Sequence, residues 1–122
     1  MWRFCHITPY LGISKVRFDK NNTCIDSAIQ HLIDDDGVHE GKLVTRKDIV
    51  SNLYNRIMCK VIIHGPNNTW DYGAEIKIVT IHGIDYIKTD SNPIPCDKIG
   101  SLPEFYCVRI ILSDNFACTR TN

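Results

Sequence analysis

The sequence predicts a small α+β domain: a mainly antiparallel β-sheet with one principal helix packed on one face. Three observations point there. Short runs rich in β-branched and aromatic residues recur along the chain, separated by turn clusters such as DKNNT, GPNNT and His82-Gly83. One segment, TRKDIVSNLYNR, carries a clear helical start. With 122 residues, 43% hydrophobic and 23% charged, the chain has the size and balance of one ordinary globular domain over 1–122.

The elements follow in order. GISKVRF (12–18) is the first strand, and DKNNT closes a hairpin onto CIDSAIQHLI. In that second run Ile25, Ile29, Leu32 and Ile33 fit helical spacing, yet Ile25 and Ile29 also share one strand face. The hairpin partner favours strand. DDDGVHEGK reads as a solvated loop. Thr45 and Asp48 form a capping-box-like start to the helix, with Ile49, Val50 and Leu53 on one face. CKVIIH is a short apolar strand and GPNNT a turn. AEIKIVTI and IDYIKT are two strands of a tight hairpin around His82-Gly83. YCVRIIL is a last strand, and SDNFACTRTN is a tail that needs tertiary contacts to stay ordered. The resulting order is β-β-α-β-β-β-loop-β. A sheet of this kind has edges to protect, so a homo-oligomer is expected.

Composition narrows the function classes. Lys plus Arg equal Asp plus Glu at 14 each, so no global field draws the chain to a DNA or RNA polymer or an anionic membrane. No run is long and apolar enough to span a bilayer, and MWRFCHITPYLG lacks a signal peptide's apolar stretch. A cytoplasmic protein is expected, with its six cysteines reduced. Phosphate cradles, nucleophile elbows and zinc-ligand spacings are absent. His6, His31, His39, His64 and His82 are scattered, and Asp34, Asp35 and Asp36 precede a glycine as a solvated turn does. No catalytic group, metal or cofactor is expected.

The segment YIKTDSNPIPCDKIGSLPEF (86–105) is the unusual one, with three prolines and a long stretch of neither helical nor strand period. Its prolines pre-set the backbone and lower the entropy lost when it orders around something. Asn92 precedes Pro93 and is thereby held extended. Phe105 and Tyr106 follow, then Arg109 in the last strand and Arg120 in the tail. A rigid turn with an amide, aromatic rings and two guanidinium groups suits a nucleotide-like anion. The competing account is plain architecture: Leu102, Phe105 and Tyr106 plug the core, and the prolines brace a connection.

ISKVRFD near the start and YIKTDSNPIPCDKIGSLPEF later resemble a family of small bacterial and phage domains whose members look like ITxVR followed by YLRT…DNLxxLPxF. Tyr86, Ile87, Lys88 and Thr89 match the first block of the loop motif, and Asp97, Ile99, Leu102, Pro103 and Phe105 match the second. Lys98 stands where that family usually has Asn. Within it, the length, the tail and the placement of Asn92 and Arg109 are similar to the phage Thoeris anti-defence family. The resemblance implies a non-catalytic sponge that sequesters a cyclic ADP-ribose isomer in the cytoplasm of an infected or lysogenic host, so that Thoeris signalling is blocked. It implies symmetric oligomers with pockets at protomer interfaces and, for some members, a separate site for cyclic oligonucleotides. It assigns Asn92 to ribose or base hydrogen bonding, Arg109 to stacking or phosphate contact, and Arg120 to a second cation. His82, Phe105 and Phe116 are the candidates for the stacking ring. Arg46 and Arg56, flanking the helix, either line the second site or sit on an exposed helix face. The rival expectations are a hydrolase of a cyclic nucleotide messenger, and a protein-binding inhibitor or housekeeping domain without a small ligand.

Overall fold

A computed structural model describes residues 8–100 and 102–103, and the strand pairing of 105–109 and 116–120. Residues 1–7, the greater part of MWRFCHITPYLG, lie outside the described residues, as does the end of YCVRIIL. The fold is α+β, with strands dominating and one α-helix among the described residues.

The spine is β1 (Tyr10–Phe18), which pairs antiparallel with β2 (Ile25–Asp34) across the DKNNT turn. Asp19 closes that turn by accepting from the Thr23 and Cys24 backbone N–H groups. A bulge between Ile13 and Lys15 shifts the period-two alternation of β1, so Ile13 and Val16 both enter the same core. On its other edge β1 pairs in parallel with β5 (Cys59–His64), and β5 pairs antiparallel with β6 (Trp70–Glu75). The main sheet is therefore mixed, in the order β3 (Gly37–Val38)-β2-β1-β5-β6.

Two departures from the sequence reading concern short polar strands. DDDGVHEGK is not wholly loop: β3 (Gly37–Val38) turns back on the end of β2, and β4 (Lys42–Thr45) rejoins the same edge. Their pairing rests on backbone groups, which leave little trace in hydrophobic pattern. AEIKIVTI likewise belongs to two strands, β6 and β7 (Lys77–Ile81), because Ile76 between them dives into the core and donates its N–H to Cys59 O at 2.7 Å. In place of one sheet there are also two ribbons, β7 with β8 (Ile84–Lys88) and β9 (Phe105–Arg109) with β10 (Phe116–Arg120). The β7–β8 turn holds His82 and Gly83 at φ 52° and 80°, positive at both central positions as a type I′ hairpin requires.

α1 (Arg46–Tyr54) begins where the sequence says it should. Thr45 Oγ1 accepts from Asp48 N, and Asp48 Oδ2 accepts from Thr45 N, a closed capping box. Ile49 anchors the helix in a core built from Ile13, Val16, Ile25, Ala28, Val61, Ile76, Ile87, Ile99 and Leu102. The opposite face of β1 is sealed more thinly. A Cβ at Gly12 would lie 2.8 Å from the Ile33 and Ile62 Cδ1 methyls, so any larger residue there would make those side chains shift.

Candidate functional site

The proline segment is ordered by two buried charged side chains. Lys88 closes β8 and is 0% exposed. Its Nζ donates to Asn92 Oδ1 at 2.8 Å and to the Ile94 carbonyl at 2.6 Å, both neutral acceptors. The same Asn92 oxygen accepts from Ile94 N, and Asp90 Oδ1 accepts from Asn92 N. Backbone groups that an irregular segment cannot pair with a strand are thus satisfied from inside. Asn92, expected to meet a ligand, has its carbonyl oxygen committed to the loop.

Asp97, 4% exposed, is the second anchor. Its carboxylate accepts from Ile25 N at 2.7 Å, Ile87 N at 2.8 Å, and Arg46 Nε and Nη2 at 2.9 and 3.0 Å. One residue of the loop therefore ties together β2, β8 and the first residue of α1. Arg46 also donates from Nη2 to Asp85 O at 2.6 Å, and its guanidinium is held more firmly protonated by the Asp97 hydrogen bonds. That commitment takes Arg46 into the scaffold. Downstream, Ile99 and Leu102 fill the core and Pro103 O accepts from Val16 N. Lys88, Asp97, Ile99, Leu102 and Pro103 of the loop motif thus serve the architecture.

The remaining candidates fall into two groups. His82 is exposed at the β7–β8 turn, whereas Asn92 lies beyond the far end of β8. Five strand residues separate those ends, about 16 Å at ~3.3 Å per residue, so one protomer does not bring them together. The other four lie in register on one ribbon. Arg109 pairs with Phe116, and Phe105 with Arg120. With a period of two, all four positions share one ribbon face, with Cys107 opposite Cys118 between them.

A cleft of about 460 Å³ opens beside the C-terminal end of α1. Tyr54, Arg56, Met58, Glu75 and Lys77 line it. Arg56 N donates to Leu53 O and Ile57 N to Asn52 O, the two bonds of a Schellman motif. Arg56 occupies the position that glycine normally takes, at φ 63°. Lys77 Nζ donates to Ser91 Oγ at 3.1 Å, linking this cleft to the proline loop. Tyr54 OH donates to Asp85 Oδ2 at 2.6 Å, fixing the helix end to β8.

Two further clusters bear on chemistry. Ser14 Oγ lies 2.7 Å from His31 Nε2, and His31 Nδ1 lies 2.8 Å from the His39 carbonyl. A carbonyl only accepts, so Nδ1 carries the proton and the serine hydroxyl donates to Nε2. That is the hydrogen bonding of a serine nucleophile and its base. Yet Ser14 is 5% exposed, and Trp70 sits edge-on to the His31 ring with centroids 5.1 Å apart. The arrangement is a satisfied polar network in the interior. Asp34, Asp36 and His39 each place one donor atom within 4.8 Å of the others, on the surface. His39 Nε2 and Asp36 N both donate to Asp34 Oδ1, so hydrogen bonds within the turn account for the cluster.

Sequence reasoning missed Lys88 and Asp97 as anchors. A visible signal existed: a lysine ending the apolar run of IDYIK, directly before a proline-containing segment of no regular period. No protein-family profile, curated protein or solved structure matches the chain.

Proposed function

We propose that this protein is a non-catalytic sponge for a cyclic ADP-ribose isomer, an anti-defence protein of a phage or prophage that withholds the signal from a Thoeris-type immune effector in the host cytoplasm. The observation that carries the reading is the β9–β10 register, which sets Arg109 opposite Phe116 and Arg120 opposite Phe105. Two guanidinium and two aromatic positions on one ribbon face match a diphosphate flanked by a purine. The Lys88 and Asp97 anchors support it by supplying a pre-ordered neighbouring loop, which lowers the ordering cost of binding. Asn92 contributes through its amide NH₂, its oxygen being used.

Pockets lie between protomers in this reading. It is supported by β6, an edge strand of the main sheet with Tyr72 exposed, and by Ile63 exposed on its neighbour β5. His82, at the opposite end of β8 from Asn92, then reaches that ligand only from a second copy. The cleft at Arg56 and Lys77 is the place for a separate cyclic oligonucleotide. No helix among the described residues is long and apolar enough to cross a membrane.

Sequestration needs affinity without turnover. A nanomolar site corresponds to about −12 kcal/mol. A thermal-shift screen with cyclic ADP-ribose isomers tests the reading, because ligand at a hundredfold excess over Kd adds about 2.7 kcal/mol of stability. The expected result is a shift with one isomer and intact ligand recovered after heat denaturation. A cleaved product would make the protein a hydrolase; no shift with any nucleotide would favour a protein-binding or housekeeping role.

A further inference from the structure

The register of the β9–β10 ribbon points to a reversible cross-strand disulfide between Cys107 and Cys118, a redox lock at the centre of the ribbon. The two residues pair directly across the antiparallel strands. Directly opposed residues hold their Cα atoms about 4.5–5.5 Å apart, inside the roughly 4.4–6.8 Å that a disulfide spans. The strand pairing itself supplies that approach. Three thiols are described elsewhere in the fold. Cys24, Cys59 and Cys96 are free. Burial pushes the Cys59 thiol up to about 12 and also raises Cys24, which withholds the reactive thiolate. Cys24 and Cys96 are the nearest rival pair, because Asp97 N donates to Thr23 O next to both.

The oxidant is a low-molecular-weight disulfide such as glutathione disulfide. One deprotonated cysteine attacks it, forming a mixed disulfide and releasing one small thiolate. The second cysteine, deprotonated in turn, attacks the protein sulfur of that mixed disulfide and displaces the other small thiolate. Two protein S–H bonds become one S–S bond, the small disulfide is reduced to two thiols, and the two protons the protein gives up end, through solvent, on those thiols. In a reducing compartment such a bond is transient and reports oxidation.

Cys107 and Cys118 lie between the Arg109–Phe116 and Phe105–Arg120 pairs. The lock therefore fixes the ribbon that the proposed ligand uses, and this consequence rests on the sponge reading. Fixing it in advance removes part of the ordering cost, so the oxidised protein should bind the ligand about tenfold more tightly.

The full-length folded protein should be equilibrated over a range of glutathione disulfide-to-thiol ratios, acid-quenched, alkylated and peptide-mapped. The expected product loses two hydrogens, links the peptides containing Cys107 and Cys118, and reverts with dithiothreitol. Its melting temperature should exceed that of the reduced protein by roughly 5 °C or more. Cys107→Ser should abolish the linkage and the shift, while Cys24→Ser keeps both. A Cys24–Cys96 linkage, or separate mixed disulfides on Cys107 and Cys118, would overturn the lock. Mass mapping needs no ligand, so a disulfide found without nucleotide binding in either state would sink the sponge and leave the lock. Equal affinity of the two states would remove the coupling between them.

Discussion

At the residue scale, the molecule places charge inside where backbone geometry demands it. Asp97 takes four donors from three elements, and Lys88 holds the proline turn from beneath. These two residues should respond differently to substitution. Asp97→Asn turns an amide NH₂ toward N–H donors and leaves Arg46 without its charge partner, which should cost about 3 kcal/mol in urea denaturation. Lys88→Met removes a buried ammonium whose desolvation already opposes folding, so global stability should change by less than about 1 kcal/mol. Its effect should be local, with hydrogen exchange at the Ile94 and Cys96 amides accelerating about tenfold or more. A third residue couples the interior to pH. Burial lowers the His31 pKa below 6.5, so the unfolded chain binds this proton more readily than the folded one. Its contribution is full above pH 6.5 and is lost as pH falls through the window between 6.5 and the lowered folded value. Urea midpoints measured across that window should decline for the native sequence, and His31→Gln should flatten the decline.

At the element scale, α1 is bounded by two opposite kinds of signal. Its start is a closed capping box that Thr45 and Asp48 announce in the sequence. Its end is a Schellman turn with Arg56 in the left-handed region, where a side chain costs about 1 kcal/mol relative to glycine. Arg56→Gly should therefore raise the urea midpoint, the unfolding free energy gaining up to about 1 kcal/mol, while removing a cation from the cleft it lines with Lys77. An unchanged or lowered midpoint would show that the arginine side chain repays its backbone strain. The strands follow the same division. β1, β2, β5 and β8 were legible because each presents β-branched apolar residues to the core. β3 and β4 were not, because they pair through backbone on a polar edge; Ile76, an apolar residue inside an apparently continuous run, hid the break between β6 and β7. The second strand of the C-terminal ribbon was read only as a tail.

At the scale of the whole molecule, the proline segment serves as a seam and the ribbon beyond it as the candidate ligand face. The fold class and its hairpins could be read from pattern; the seam could not, since three elements meet at Asp97 only after the chain has folded. Of the candidate ligand residues, Phe105, Arg109, Phe116 and Arg120 are joined by strand register, while Asn92 and His82 are set apart along β8. In the proposed reading His82 and Asn92 of one protomer serve different pockets, and Phe105 or Phe116 supplies the stacking ring beside Arg109 and Arg120. The most direct test is a calorimetric titration of a cyclic ADP-ribose isomer into the native protein and into Arg109→Ala. The account predicts saturable nanomolar binding to the native protein, ligand recovered unchanged, and loss of at least about a hundredfold in affinity (about 2.7 kcal/mol) for a variant with an unaltered melting temperature. Near-native affinity in Arg109→Ala, or no heat with any isomer in the native protein, would contradict it.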